Sequence, residues 1–201
     1  MDGIGWAASA MSAAQTRLDV AADNLANASN DGFRKTRLHG FLRAAGIAML
    51  RERDSAQGAM RRTGRDLDLA ISGNGSFEVR DAAGKLHRTR GGAFMRDRFE
   101  RLCDERGRVV IGTRGPVVLP DGAHIEPAGA IVRNGTILNR IPLPPGSALR
   151  TGFLESSNVD TIGEMIDVLT SQRSFETAQK VLEAIDKTRE RNTTQTALVR
   201  E

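Results

Sequence analysis

Residues 3–33 read GIGWAASAMSAAQTRLDVAADNLANASNDGF, and their pattern decides the fold. Ile4, Met11, Leu18 and Leu25 recur every seventh residue. Ala7, Ala8, Ala14, Ala21 and Ala22 fill neighbouring positions of the same stripe, with Gln15 its one polar interruption. A seven-residue apolar repeat is a helix seam that needs a partner. The spacing predicts a helix over residues 3–27, roughly 36 Å long at about 1.5 Å per residue. It ends at an asparagine-rich stop. Asn24 and Asn27 lie three apart on one face, and residues 27–32 tolerate left-handed backbone or bond back to it. Phe33 follows at once, an apolar anchor able to fix the direction in which the chain leaves.

The other end of the chain has a similar character. Ile162, Met165, Ile166 and Leu169, then Phe175, Ala178, Val181, Leu182 and Ile185, mark a second helix. It should begin near Val159, with Asn158 or Asp160 as N-cap, and run towards Thr196, more than about 50 Å. Leu169 to Phe175 is a six-residue step, and a short step overwinds a seam, which points to several helical partners rather than one. The polar side carries Glu164, Asp167, Arg173, Glu176, Lys180, Glu183, Asp186 and Lys187. Glu176 with Lys180 and Glu183 with Lys187 are favourable pairs four apart, on a face that reads equally as solvated surface or as packing surface.

Between these ends the composition changes. The chain has 21 glycines, none of them after Gly163, so a turn-rich middle is followed by a helical tail. Residues 38–60 are ambiguous: Leu42, Ala45, Met49 and Arg53 permit a short helix, and Gly40, Gly46 and Gly58 weaken it. They read as a connector. From Asp66 onward, Leu67, Leu69 and Ile71 alternate with Asp68 and Ala70, as in a half-buried strand, before the turn Gly73-Asn74-Gly75. Phe77 and Val79 continue the alternation. Further strands are expected near residues 85–90, 99–103 and 108–111, and hairpin turns at Asp121-Gly122 and Asn134-Gly135. Pro142, Pro144 and Pro145 stop the sheet. The expected fold class is α+β. Long N- and C-terminal helices, residues 1–36 and 153–201, pack as a coiled-coil-like domain. A connector spans 37–65, and a small, mostly antiparallel β domain spans 66–152.

Several functions find no support in the residues. No apolar run approaches the roughly 20 residues that cross a bilayer. Asp2, Gln15, Arg17 and Asp19 are out of place in a cleavable signal. Cys103, the single cysteine, has no thiol to pair with and reads as a small apolar residue. The net charge of +4 raises the question of nucleic acid, yet acidic residues interrupt both basic clusters, at 51–65 and 88–108, and no aromatic ladder accompanies them. His39, His87 and His124 lack metal-ligand spacing, and no nucleophile elbow or phosphate loop is present. Gly73 to Gly75 reads as a hairpin turn. Asp66 and Asp68 share a strand face without implying a pocket.

Three stretches together carry a resemblance. Residues 18–35, LDVAADNLANASNDGFRK, are similar to the N-terminal signature of bacterial flagellar rod and hook proteins. The run Glu155-Ser156-Ser157-Asn158-Val159-Asp160, with Glu164-Met165 and Gln172-Arg173-Ser174-Phe175-Glu176, resembles that family's C-terminal signature. Residues 66–77, DLDLAISGNGSF, resemble the start of its β domain.

The resemblance implies a structural subunit of the flagellar basal-body rod in the periplasm, exported without a cleavable signal. Its terminal helices would pack with each other and with neighbours into a tube that transmits torque. The implied partners are copies of itself, other rod and hook proteins and the flagellar export apparatus, without nucleic acid or membrane insertion. No catalytic residue, cofactor or metal is implied. The expected packing residues are Ile4, Met11, Leu18, Asn24, Leu25, Asn27, Gly32 and Phe33 on the N-terminal side. On the C-terminal side they are Met165, Leu169, Phe175, Leu182 and Ile185. Residues 115–122 and 26–29 look more like the larger proximal rod type than the distal type. A hook or hook-junction protein is the alternative within the family, although residues for the hook's additional outer domain are lacking. A basic nucleic-acid-binding module is the alternative outside it.

Overall fold

A computed structural model describes residues 3–43 and 46–198, with side chains through Arg191. The chain divides into a helical unit, Met1–Ala28, Lys35–Asp54 and Val159–Glu201, and a β unit, Ser29–Arg34 and Ser55–Asn158.

In the helical unit, α1 spans Gly3–Ala26, a pair of strands follows as β1 (Thr36–Arg43) and β2 (Gly46–Arg53), and the chain returns as the long C-terminal helix Thr161–Leu198, α2. Alanine, the strongest helix former, dominates α1. Its last turn closes where Asn27 N–H donates to the Asp23 carbonyl at 3.2 Å and Ala28 N–H to that of Leu25. Asp160 caps α2, its Oδ1 accepting from Ile162 N–H at 3.2 Å, and Glu164 adds negative charge to the first turn. The strands β1 and β2 pair antiparallel from Thr36 opposite Arg53 to Arg43 opposite Gly46. Residues 37–43 and 46–53, read from the sequence as connector, thus belong to a pair of antiparallel strands. Ile47 N–H donates to Ser9 Oγ on α1 at 2.7 Å, while His39 with Glu52 and Arg37 with Asp54 pair across the strands.

The coiled-coil-like packing expected of the two helices is not what they form. Ile4, Met11, Leu18 and Leu25 are only half-buried, and the fully covered residues of α1 are Ala7, Ala13, Ala14, Val20, Ala21 and Asn24. On α2 the covered positions are Glu164, Ser171 and Ala178, whereas Ile162, Met165, Ile166, Leu169 and Val181 stand exposed. A coiled coil inserts large knobs into facing holes. The residues fully covered where these helices meet are small or polar, Phe175, Leu182 and Ile185 are half-buried, and Ile162, Met165, Ile166 and Leu169 turn outward.

The antiparallel β-rich region expected between the terminal helices is present. Beyond β1 and β2 its strands are β3 (Met60–Arg62), β4 (Leu69–Ser72), β5 (Phe77–Arg80), β6 (Leu86–Thr89), β7 (Phe94–Arg96), β8 (Leu102–Asp104), β9 (Val109–Gly112) and β10 (Gly115–Pro116). They continue as β11 (His124–Ile125), β12 (Ala130–Arg133), β13 (Thr136–Arg140), β14 (Ala148–Thr151) and β15 (Phe153–Glu155). The main sheet runs β6-β5-β9-β8-β7 with β10 on β9, beside a β11-β12-β13 sheet and the pairs β14-β4 and β15-β3, all antiparallel. Phe77 and Phe94, both 0% exposed, meet edge to face with centroids 5.0 Å apart, among Leu69, Ile71, Val79, Leu102, Val110 and Ile131. The alternation at residues 67–71 is that of a strand, but β4 is covered on both sides, since Asp68 and Ala70 are buried along with Leu69 and Ile71.

Candidate assembly surface

The helical unit is built by register. Asn24 lies beside Glu164 at one end of the contact, and a Cβ on Gly3 would stand 3.3 Å from Ile185 Cδ1 at the other, so α1 and α2 are antiparallel. Ala7, Ala14 and Ala21 lie on α1 between these ends, all buried. Side chains this small bring two helices close but carry little information about which turn faces which. Past Ile185, α2 continues to Leu198, roughly 20 Å of helix at about 1.5 Å per residue.

Asn24 supplies what the alanines lack. It is 1% exposed. Its Oδ1 accepts from Thr36 N–H at 2.8 Å, and its Nδ2 donates to the Thr36 carbonyl at 2.9 Å and to Glu164 Oε2 at 3.1 Å. One amide thus ties the end of α1 to the start of β1 and the first turn of α2. Both Nδ2 hydrogens are used, which an aspartate could not reproduce. Asn27 turns back on its own helix, donating to the Asp23 carbonyl at 2.8 Å. Phe175, Leu182 and Ile185 are half-buried, and Met165 and Leu169 are exposed. Glu164 was read as part of the polar face. The missed signal was its position in the first turn, three and four residues before outward Asp167 and half-buried Val168.

Gly32 and Phe33 belong to the β unit, where they join the other signature. Gly32 N–H donates to the Glu155 carbonyl at 2.6 Å, and Asn158 N–H to the Phe33 carbonyl at 3.3 Å. Gly32 has φ of +72°, and a Cβ there would come within 2.2 Å of Gly91 N. Both the backbone conformation and the space exclude a side chain.

Beneath this crossing lies a buried ion pair that the sequence did not disclose. The Glu155 carboxylate, 1% exposed, accepts from Arg90 Nε at 2.7 Å and Nη2 at 2.6 Å, and also from Gly58 N–H at 3.2 Å. The remaining Arg90 hydrogens go to the carbonyls of Ile71, Gly73 and Gly75, each at 2.9 Å, so all five donors are engaged. The Gly73-Asn74-Gly75 turn is therefore held from below by an arginine. Glu155 stood in the quoted C-terminal run, but Arg90 sat inside a basic cluster that read as surface charge.

Other groups with chemical potential are occupied locally. The hydrogen bond from His87, at 2.8 Å, holds the Asp81 carboxyl below its ordinary range. Burial pushes the Cys103 thiol up, with the Asp97 and Asp104 carboxylates acting in the same direction. Among the described residues no group of three or more His, Cys, Asp or Glu side chains could hold a metal ion. Among them, too, no helix is long and apolar enough to cross a membrane.

The packing of the two chain ends is the feature by which this protein can be compared with others. Residues 4–34 match the family described as flagella basal body rod protein, and residues 150–196 match the C-terminal family of the flagellar basal body rod FlgEFG proteins. The flagellar basal-body rod protein FlgF of Escherichia coli is 31% identical, over 88% of this chain and 92% of that protein. The flagellar basal-body rod protein FlgG of Agrobacterium fabrum is 26% identical, over 92% and 96% respectively. The flagellar hook protein FlgE of Salmonella typhimurium is 32% identical, over 60% of this chain and 32% of the hook protein. This chain belongs to the flagellar basal-body rod protein family.

Proposed function

We propose that the chain is a structural subunit of the bacterial flagellar rod, polymerising through its terminal helices so that torque passes along many interlocked subunits. The observation that carries this reading is a coincidence of position. The two family matches cover the two ends of the chain, and those ends supply α1 and α2, of which α2 carries Ile162, Met165, Ile166 and Leu169 more than half exposed. Its partners are copies of itself and other rod and hook proteins, reached by way of the flagellar export apparatus. Its place is the periplasmic part of the basal body. It performs no catalysis and binds no nucleic acid. Within the helical unit, Ile4, Met11, Leu18, Asn24, Leu25, Asn27, Met165, Leu169, Phe175, Leu182 and Ile185 serve subunit packing, and Gly32 with Phe33 sets the path of the chain in the β unit. The hook alternative has support from hook proteins of Salmonella, but the match covers about a third of their length.

Replacing half-buried Leu18 and Leu182 together with Asp tests the reading. Rod assembly should be lost while the β unit stays folded, measured by imaging basal bodies and by Cys103 protection in the soluble chain. Normal motility in that double variant would sink it. DNA retention at moderate salt that falls steeply as salt rises would instead favour nucleic-acid binding.

A further inference from the structure

Two surfaces of the helical unit are unused within it, and they are opposite in character. One is the outer side of the first turns of α2, where Ile162, Met165, Ile166 and Leu169 are 70%, 52%, 54% and 57% exposed. At about 3.6 residues per turn they stand roughly half a turn away from the side that Glu164, Ser171 and Ala178 present to α1. The other is an open groove of about 440 Å³, lined by Ala7 and Ala10 of α1 and by Arg173, Ser174, Thr177, Ala178 and Val181 of α2. Apart from Arg173 and Val181, its walls are small side chains. A cavity of about 150 Å³ accepts one benzene ring, so this groove takes two or three large aliphatic side chains.

We propose that the patch formed by Ile162, Met165, Ile166 and Leu169 of one copy seats in the Ala7, Ala10 and Thr177 groove of a second copy. The proposal rests on the rod reading above and adds which surfaces meet. A small apolar ligand fills the groove and leaves the patch in water. Patch against patch covers the large side chains, leaves the groove empty, and closes at a dimer, because the same surface serves both partners. Patch in groove uses both features, large side chains against small. Since the two surfaces are different, the contact is heterologous and repeats from copy to copy into an open array. It also sets a stagger. On α2 the groove centres near residue 177 and the patch near 165, an offset of roughly 18 Å along the helix at about 1.5 Å per residue.

The test is disulfide cross-linking of the full-length chain in isolated basal bodies, in a Cys103→Ser background. Cells produce two forms of the chain together, one carrying Leu169→Cys and the other Thr177→Cys. The control replaces the second with Gln179→Cys, an exposed position about half a turn round α2 from Thr177. Cross-linked dimers from 169 with 177 should exceed the control at least ten-fold. Equal yields from the two pairs, or dimers dominated by 169 with 169, overturn the proposal while leaving the rod reading intact. Absence of the unsubstituted chain from basal bodies removes both. Independently, Thr177→Trp fills the groove. It should lower recovery of the chain in basal bodies at least ten-fold with the helix signal of the soluble chain unchanged, and full recovery overturns the proposal.

Discussion

The helical unit and the β unit solve the problem of burial in different ways. The β unit closes on itself: Phe77, Phe94, Leu69, Ile71, Leu102 and Ile131 are each no more than 1% exposed, and its buried pair Glu155 and Arg90 engage each other and the backbone around them. The helical unit does the reverse. It covers alanines and leaves four large apolar residues of α2 more than half exposed. The lesson is that one unit covers its large apolar side chains with its own contents, whereas the other leaves several of them uncovered. A helix in water gains most of its stability from packing an apolar face, and α2 has only part of that packing within its own chain.

The comparison breaks most visibly at Glu155. Glu155→Ala leaves the Arg90 guanidinium buried against carbonyls with its counter-charge gone, and losing one partner of a buried pair costs about 3–5 kcal/mol. Denaturant unfolding followed by alkylation of buried Cys103 reads this directly, because the thiol becomes reactive only when the β unit opens. A midpoint unchanged from the unsubstituted chain would show that the unit does not depend on the pair. Phe94→Ala, which removes the partner of Phe77, should cost a similar amount through the cavity it leaves.

A smaller effect is expected at the polar contact of the helical unit. Asn24→Ala removes one side of three hydrogen bonds and strands the Thr36 backbone and Glu164, at a cost of about 1–3 kcal/mol. Its signature is positional. Cysteines replacing Gly3 and Ile185 should cross-link in the unsubstituted register. With Asn24→Ala, a pair displaced by one heptad, Ala10 with Ile185, should begin to cross-link as well. Alanines at 7, 14 and 21 are interchangeable under such a shift. If only the original pair forms, the alanine face alone sets the register.

These sites also mark how far the sequence could be read. Helix ends, the Asn134-Gly135 hairpin turn, and the strands around Phe77 and Val110 follow from local pattern and turn chemistry, and they lie where expected. The turns at Gly73 to Gly75 and Asp121-Gly122 close no hairpin, because β4 pairs with β14 while β5 pairs with β6 and β9, and β10 pairs with β9 while β11 pairs with β12. The heptad of Ile4, Met11, Leu18 and Leu25 correctly announced a helix and wrongly announced a coiled coil. Periodicity gives the direction of a stripe; which stripe turns inward depends on how closely the partner approaches, and the alanines won. The strand pair Thr36–Arg43 and Gly46–Arg53 escaped because Gly40 and Gly46 weaken a helix without displaying a strand. Arg90 was illegible for another reason: its partner Glu155 is 65 residues away, and one arginine in a basic cluster looks like the next.

The smallest expected effect on stability falls on the most exposed residues. Ile162→Ser with Ile166→Ser changes side chains that are 70% and 54% exposed, and surface substitutions of this kind stay within about 0.5 kcal/mol of neutral. The soluble chain should melt as before and keep its helix content. If these residues served only the fold of their own chain, that would end the matter, and motility would be untouched. If the helical unit is completed from outside, the same two changes remove apolar area from every repeat of an open array, at about 25 cal/mol per Å² for each contact. The loss then accumulates over all copies. Swimming radius in soft agar and subunit recovery in basal bodies should therefore fall together while the melting curve stays fixed. A variant that melts early would assign Ile162 and Ile166 to the fold of the unit itself and erase the contrast between the two halves of the molecule.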